Sequence, residues 1–201
     1  MPFSSHSADS DALRSRPDDL SLAVSQLAAA DLDDPATIDA RERILAFCGE
    51  HDDALYRTCL TGHLTGSALV VDSAGERTLL LHHAKLDRWL QPGGHADGDG
   101  NLAAVALREA TEETGIDDLR LVTPGIDIDI HTIPERGDEP SQLHLDLRFL
   151  VLAPDDAVVA HNDESFSARW APGDDPSIAE APELSRAVGR ALAVAGDLIG
   201  S

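Results

Sequence analysis

The chain has 201 residues, 42% apolar and 26% charged, enough for one domain with a sizeable core. Lys and Arg number 15 against 37 Asp and Glu, a net charge of −22, which argues against a surface that wraps long nucleic acid or coats an anionic membrane. An acidic chain still acts on anions where a divalent cation masks the local charge. Cys48 and Cys59 have no metal-ligand spacing and form no disulfide framework, so a reducing cytoplasm is expected. The sequence has neither a signal-peptide apolar stretch near Met1 nor a run of about 18 apolar residues to span a membrane.

In chain order, residues 1–18 are rich in Ser, Asp and Arg and read as disordered. Leu20 to Leu32 is Ala- and Leu-rich and predicts a helix. Asp34-Pro35 then supplies an N-cap with Pro at the first helical position. The second helix carries Ile38, Ile44, Leu45 and Phe47 and stops near Gly49, so residues 19–58 form a helical extension ahead of a domain at 59–201.

From about residue 64 the pattern turns to strands. Ser67–Val71 and Thr78–His83 flank a Ser73-Ala74-Gly75 turn, and Arg88 to Gly94 reads as a loop. Leu102–Thr114 is a helix ended by Gly115. Ile126, Ile128 and Ile130 alternate with Asp127, Asp129 and His131, a period-2 strand, and Leu143–Ala153 is another. A short strand is expected at Ala168–Ala171 and a last helix at Ala181–Ile199. Interleaved strands and helices imply a layered α/β or α+β domain.

The helix Leu102–Thr114 carries the chemistry. At 100° per residue, Ala103, Ala106, Leu107 and Ala110 make a narrow stripe that packs closely on a sheet. Glu109, Glu112 and Glu113 fall on another face, where neighbouring carboxylates repel unless a hard cation such as Mg²⁺ or Mn²⁺ joins them. Arg108, four residues before Glu112, is placed to hold that carboxylate, and Gly93-Gly94 lets the backbone approach a metal or phosphate. A Glu-rich solvated helix face is the bland alternative, and the carboxylates by themselves do not exclude it.

The whole string is more specific. Gly94, thirteen residues, then Arg108-Glu109-Ala110-Thr111-Glu112-Glu113-Thr114-Gly115-Ile116 resembles the Nudix box, with Trp89-Leu90-Gln91-Pro92-Gly93 as the usual lead-in and a Gly93-Gly94-His95 variant start. Two positions depart: Ala110 stands at an aliphatic site, and Gly100 stands where the family's first Glu falls, which puts support of the loop in question more than metal binding. The resemblance covers about residues 60–180 and implies an α/β/α sandwich with a mixed sheet, with the N-terminal helices outside its core.

What the resemblance implies for function is hydrolysis of the diphosphate linkage in a nucleoside diphosphate joined to another group. Glu109, Glu112 and Glu113, with the Gly94 carbonyl, would hold Mg²⁺ or Mn²⁺, and one carboxylate would take the proton of the attacking water. Glu164 is the candidate base outside the box, against a solvated loop acid. His95, Trp89, Arg88 and His144 are candidate substrate contacts; Trp89 suits stacking on a base or anchoring the core, and His144 shares a strand face with Asp146. Lys85 and Arg148 are further candidate phosphate or carboxylate partners, with surface solvation the default. The implied partner is a small nucleotide or diphosphate. A homodimer is left open, as is a fold relative that binds nucleotide without turnover.

Overall fold

Two strands buried on both faces form the spine of the sheet. β2 (Gly62–Val71) runs parallel to β7 (Gln142–Leu152) in unbroken register from Gly62 opposite Leu143 to Val71 opposite Leu152. Parallel pairs need cover on both faces, which explains the near-continuous apolar runs at Ala68–Val71 and Leu147–Val151. The computed structural model describes residues 3–84, 86–135, 141–160, 162 and 165–200.

The other pairings are antiparallel, so the sheet is mixed. β6 (Arg120–Ile133) pairs with β7, and β1 (Ser4–His6) adds to the edge of β6. On the other side, β3 (Arg77–His83) pairs with both β4 (Arg88–Leu90) and β8 (Ser165–Pro172). β5 (Gly93–His95) joins β2 at Thr65–Ser67. The stretch from Arg88 to Gly94, expected to be a loop, therefore contains all of β4 and the start of β5. Three-residue strands have too few positions to show an alternation in sequence.

Helices cover both faces. α1 (Leu20–Ala29), α2 (Pro35–Glu50) and α3 (Leu102–Thr114) share one apolar cluster with Leu64, Ala68, Val70, Leu147 and Phe149 of the sheet. α4 (Pro176–Ala179) and α5 (Pro182–Ile199) cover the opposite face with Leu69, Val71, Leu80 and Leu150. This is the α/β/α sandwich the sequence implies.

The N-terminal region departs from expectation twice. First, α1 and α2 are not outside the core: Leu27 and Ile44 are completely buried in the cluster that also holds Ala106 of α3. Burial of their apolar faces on the sheet stabilises them as part of the domain. Second, residues 3–18 are not disordered. Ser4–His6 pair with Leu121–Thr123, Leu13 is buried, and Pro17 bridges Asp99. Their polar composition suggested disorder, but tertiary hydrogen bonds use those polar groups and compensate the entropy of ordering them.

Candidate active site

The site is built where α3 meets β5. Asn101 caps the helix by accepting from Ala104 N–H at 3.3 Å. Gly115 closes it in the left-handed conformation (φ 63°), with its N–H on the Thr111 carbonyl at 2.9 Å. At Gly66 of β2 the helix backbone lies so close that a Cβ would stand 2.5 Å from the Leu102 carbonyl oxygen. That contact seats α3 on the sheet and brings its carboxylate face to β5.

There the helix meets the double glycine. A Cβ on Gly94 would stand 2.4 Å from Glu109 Cδ, so only glycine lets the carboxylate lie against the strand backbone. Gly93 N–H donates to Glu113 Oε2 at 3.1 Å. Arg108 Nη2 donates to Glu109 Oε1 at 3.0 Å. The expected Arg108–Glu112 pair does not form, because Glu109, held against Gly94, is the carboxylate within the guanidinium's reach. Glu112 is exposed, one turn from Arg108.

The structure thus brings together Gly93, Gly94, Arg108, Glu109 and Glu113, with Glu112 on the same helix. The donor set is hard oxygen, and the glycine leaves the Glu109 carboxylate room beside the Gly94 backbone. By donor type and by this close approach, the residues fit a hard divalent cation.

Gly100 has its own structural reason. A Cβ there would stand 1.9 Å from the Asp19 carbonyl oxygen, so the N-terminal segment fills the space a side chain would need. That segment holds the loop before α3. Gly100 N–H donates to Arg16 O at 2.9 Å, Asp18 N–H to Gly98 O at 2.8 Å, and Arg16 N–H to Asp99 Oδ1 at 2.8 Å. Asn101 Nδ2 reaches the carbonyls of Ala12 and Arg14, each at 2.9 Å, and Gln26 of α1 donates to Asn101 Oδ1 and accepts from Leu102 N–H. Arg57 clamps Asp97 with two hydrogen bonds of 2.7 and 2.6 Å, and this pair holds the Asp97 carboxyl below its usual range.

The sheet face turned away from α3 is polar at one end. Opposed residues put His63 beside His144 and His131, then Thr65 beside Asp146 and Asp129, then Ser67 beside Arg148 and Asp127. Arg148, a candidate partner of phosphate or carboxylate with surface solvation the default, is 3% exposed, and its partners are carboxylates. It bridges Asp127 and Asp146 at 3.0 Å and Asp129 at 3.1 Å, while Arg186 of α5 reaches Asp127 at 2.9 Å. Burial opposes the Arg148 charge, but the three carboxylates outweigh it and raise its pKa. Burial likewise raises Asp127, whereas Asp129, though also pushed up by burial, ends lowered by His131 and the arginines. Asp146 accepts from Thr65 and Ser67 hydroxyls, each at 2.8 Å.

His95 and His144, expected near substrate, meet each other on this face, Nε2 to Nε2 at 3.0 Å, and His63 joins them. Gly94 faces Glu109, so the next residue of the strand points to the opposite side. Burial, above all, pushes His95 down to about 4 and His144 to about 3, and lowers His63. His63 was missed in the sequence; its only signal is the polar period His63, Thr65, Ser67 against Leu64, Gly66 and Ala68.

Trp89 is half-buried. His82 stacks on it at 4.9 Å, and the Arg169 guanidinium lies 4.5 Å from its ring centre, contacts that belong to a packed anchor. Arg88 is exposed on β4. Glu164 and Lys85 lie outside the described residues.

The chain is similar to known proteins. The family model for the NUDIX domain matches residues 63–191, more than half of the chain. Among solved structures, the E. coli dihydroneopterin triphosphate pyrophosphohydrolase is similar at 15% identity and TM-score 0.52, covering 65% of this chain and 95% of that one. A NUDIX family hydrolase from Clostridium perfringens is similar at 22% identity and TM-score 0.46, covering 66% and 97%. The C. elegans Ap4A hydrolase is similar at 21% identity and TM-score 0.44, covering 69% and 98%. No curated protein matches the sequence. The chain belongs to the NUDIX family.

Proposed function

We propose that the chain is a Mg²⁺- or Mn²⁺-dependent pyrophosphohydrolase acting in the cytoplasm on a nucleoside diphosphate derivative or a related small diphosphate. The observation that carries the reading is the approach of Gly94 to Glu109, beside the Gly93–Glu113 hydrogen bond, which joins the glycine loop to the carboxylate helix. Glu109, Glu112 and Glu113, with the Gly94 carbonyl, would hold the cation. Bound there, it would neutralise the diphosphate and supply an activated water. Arg108 orients Glu109. Glu112, exposed on the carboxylate face, is the candidate to accept the water's proton, with Glu164 as the candidate base outside the box. Arg88, exposed on β4, is the candidate substrate contact; His95 and His144 lie on the sheet face opposite the box, and Trp89 is packed between His82 and Arg169. A small, soluble substrate suits the acidic surface, and no helix among the described residues is long and apolar enough to cross a membrane.

The test is a panel of nucleoside triphosphates, dinucleoside polyphosphates, nucleotide sugars and dinucleotides with Mg²⁺ and Mn²⁺. Glu112→Gln is expected to lower kcat at least about tenfold on whichever substrate turns over. Full activity in that variant, or turnover indifferent to exhaustive chelation, overturns the reading. Tight binding of a nucleotide without product would instead indicate a binding module.

A further inference from the structure

We propose that His63, His95 and His144 form a second metal site, separate from the carboxylate box and selective for Zn²⁺ or a similar borderline-soft cation. The three rings make a near-equilateral triangle, with centroids 4.8, 5.0 and 4.7 Å apart. One donor nitrogen from each lies within 4.8 Å of the others. A tetrahedral zinc ion, with Zn–N bonds of about 2.0–2.1 Å, places its ligand nitrogens about 3.3 Å apart, so small ring movements close the set.

The state of His63 points to a ligand. It is 2% exposed, yet neither of its ring nitrogens has a hydrogen-bond partner among the described residues. The Cys59 carbonyl favours a protonated ring slightly but does not reach hydrogen-bond geometry. Buried polar nitrogens are almost always satisfied, so an unpartnered imidazole against two others points to a ligand. Among the described residues, His95 and His144 bond each other, Nε2 to Nε2 at 3.0 Å, a contact in which both offer the atom a metal would take.

The surroundings favour neutral imidazole as the only donor type. Asp97, the carboxylate whose charge reaches His63 and His95, is clamped by Arg57, and Asp146 of the same face is occupied by Thr65, Ser67 and Arg148. His131 packs against His144 at 5.2 Å, with its Nδ1 bonded to Asp129 at 3.0 Å, and so braces the third ligand. Three histidines and no thiolate or free carboxylate select zinc-like ions over Mg²⁺, which prefers oxygen. The set leaves a fourth position for water or a substrate oxygen. Because Gly94 and His95 face opposite sides of β5, this site and the box sit back to back across one strand.

The experiment is titration of chelator-stripped protein with Co²⁺ in excess Mg²⁺, read by the visible d–d bands of tetrahedral cobalt, followed by displacement with Zn²⁺. One equivalent of Zn²⁺ is expected to bind despite the Mg²⁺. His63→Ala is expected to weaken Zn²⁺ binding more than about 100-fold, beyond what loss of a supporting contact costs. Glu112→Gln is expected to retain it, which separates this site from the box. Should His63→Ala fail to fold, His95→Ala, with a half-buried ring, gives the same readout. Absence of a tight equivalent in the wild-type protein, wild-type affinity in the histidine variants, or loss of the site in Glu112→Gln overturns the proposal.

Discussion

The carboxylate of Glu109 rests against the backbone of Gly94, at a distance where an added methyl group would stand 2.4 Å from its Cδ. The contact joins residues of a strand and a helix, and it depends on the absence of a single carbon atom. The obstructing atoms are the far end of a flexible side chain, so a methyl group there displaces Glu109 without disturbing the backbone. Gly94→Ala is therefore expected to fold normally and to lose at least about tenfold in metal-dependent kcat, as removal of a positioned carboxylate does. Unchanged turnover, with unfolding midpoint also unchanged, would show that the position of Glu109 is irrelevant.

Gly100 behaves differently because its obstacle is backbone. Restoring the family residue by Gly100→Glu drives a Cβ into the Asp19 carbonyl, 1.9 Å away. The segment that supports the loop must then move. The variant is expected to lose about 1–3 kcal/mol of stability, the usual cost of overpacking, measured by urea unfolding. A gain in stability would mean that the loop prefers the family's own brace to the N-terminal one.

Arg148 is the hub of three buried carboxylates. Arg148→Ala leaves Asp127, Asp129 and Asp146 facing one another without their shared cation, though Arg186 still reaches Asp127. Breaking a buried network this way costs about 3–5 kcal/mol. Equilibrium unfolding at neutral pH should report a drop of that order; less than about 1 kcal/mol would place the variant among ordinary surface changes.

Acid dependence is expected from Asp175, the N-cap of α4. The Arg169 fork, at 2.6 and 2.8 Å, holds its carboxyl far below the usual carboxylate range. A depressed folded pKa contributes stability above the unfolded value of about 3.9, and that contribution is lost as pH falls through the folded value. Arg169→Ala should therefore be less stable than the parent at neutral pH, with the gap closing below about pH 3.9. A gap that stays constant down to pH 2 is the result that contradicts this assignment.

Much of the structure around the candidate site was legible in the sequence because its signals are local. The α3 stripe of Ala103, Ala106, Leu107 and Ala110 is buried as the helical period requires, and Gly115 stops the helix where a left-handed residue is needed. The spacing from Gly94 to Ile116 identified the family that residues 63–191 match. For Arg148 the sequence leaves surface solvation as the default beside a phosphate or carboxylate partner, because neighbouring letters carry no record of burial. β4 and β5 were too short to show a period.

The sequence by itself determined the carboxylate helix, the glycine loop and the alternation of strands and helices, since each depends on residues within a few positions of one another. Only the tertiary structure decided what the polar residues do. Residues 12–19 became a brace for Gly98–Asn101 because hydrogen-bond partners arrive from a distant part of the chain. His63, His95 and His144 became a triangle because β2 pairs with both β5 and β7, a register set by the whole sheet. Polar side chains derive their meaning from partners, and partners distant in sequence meet only once the strands have paired.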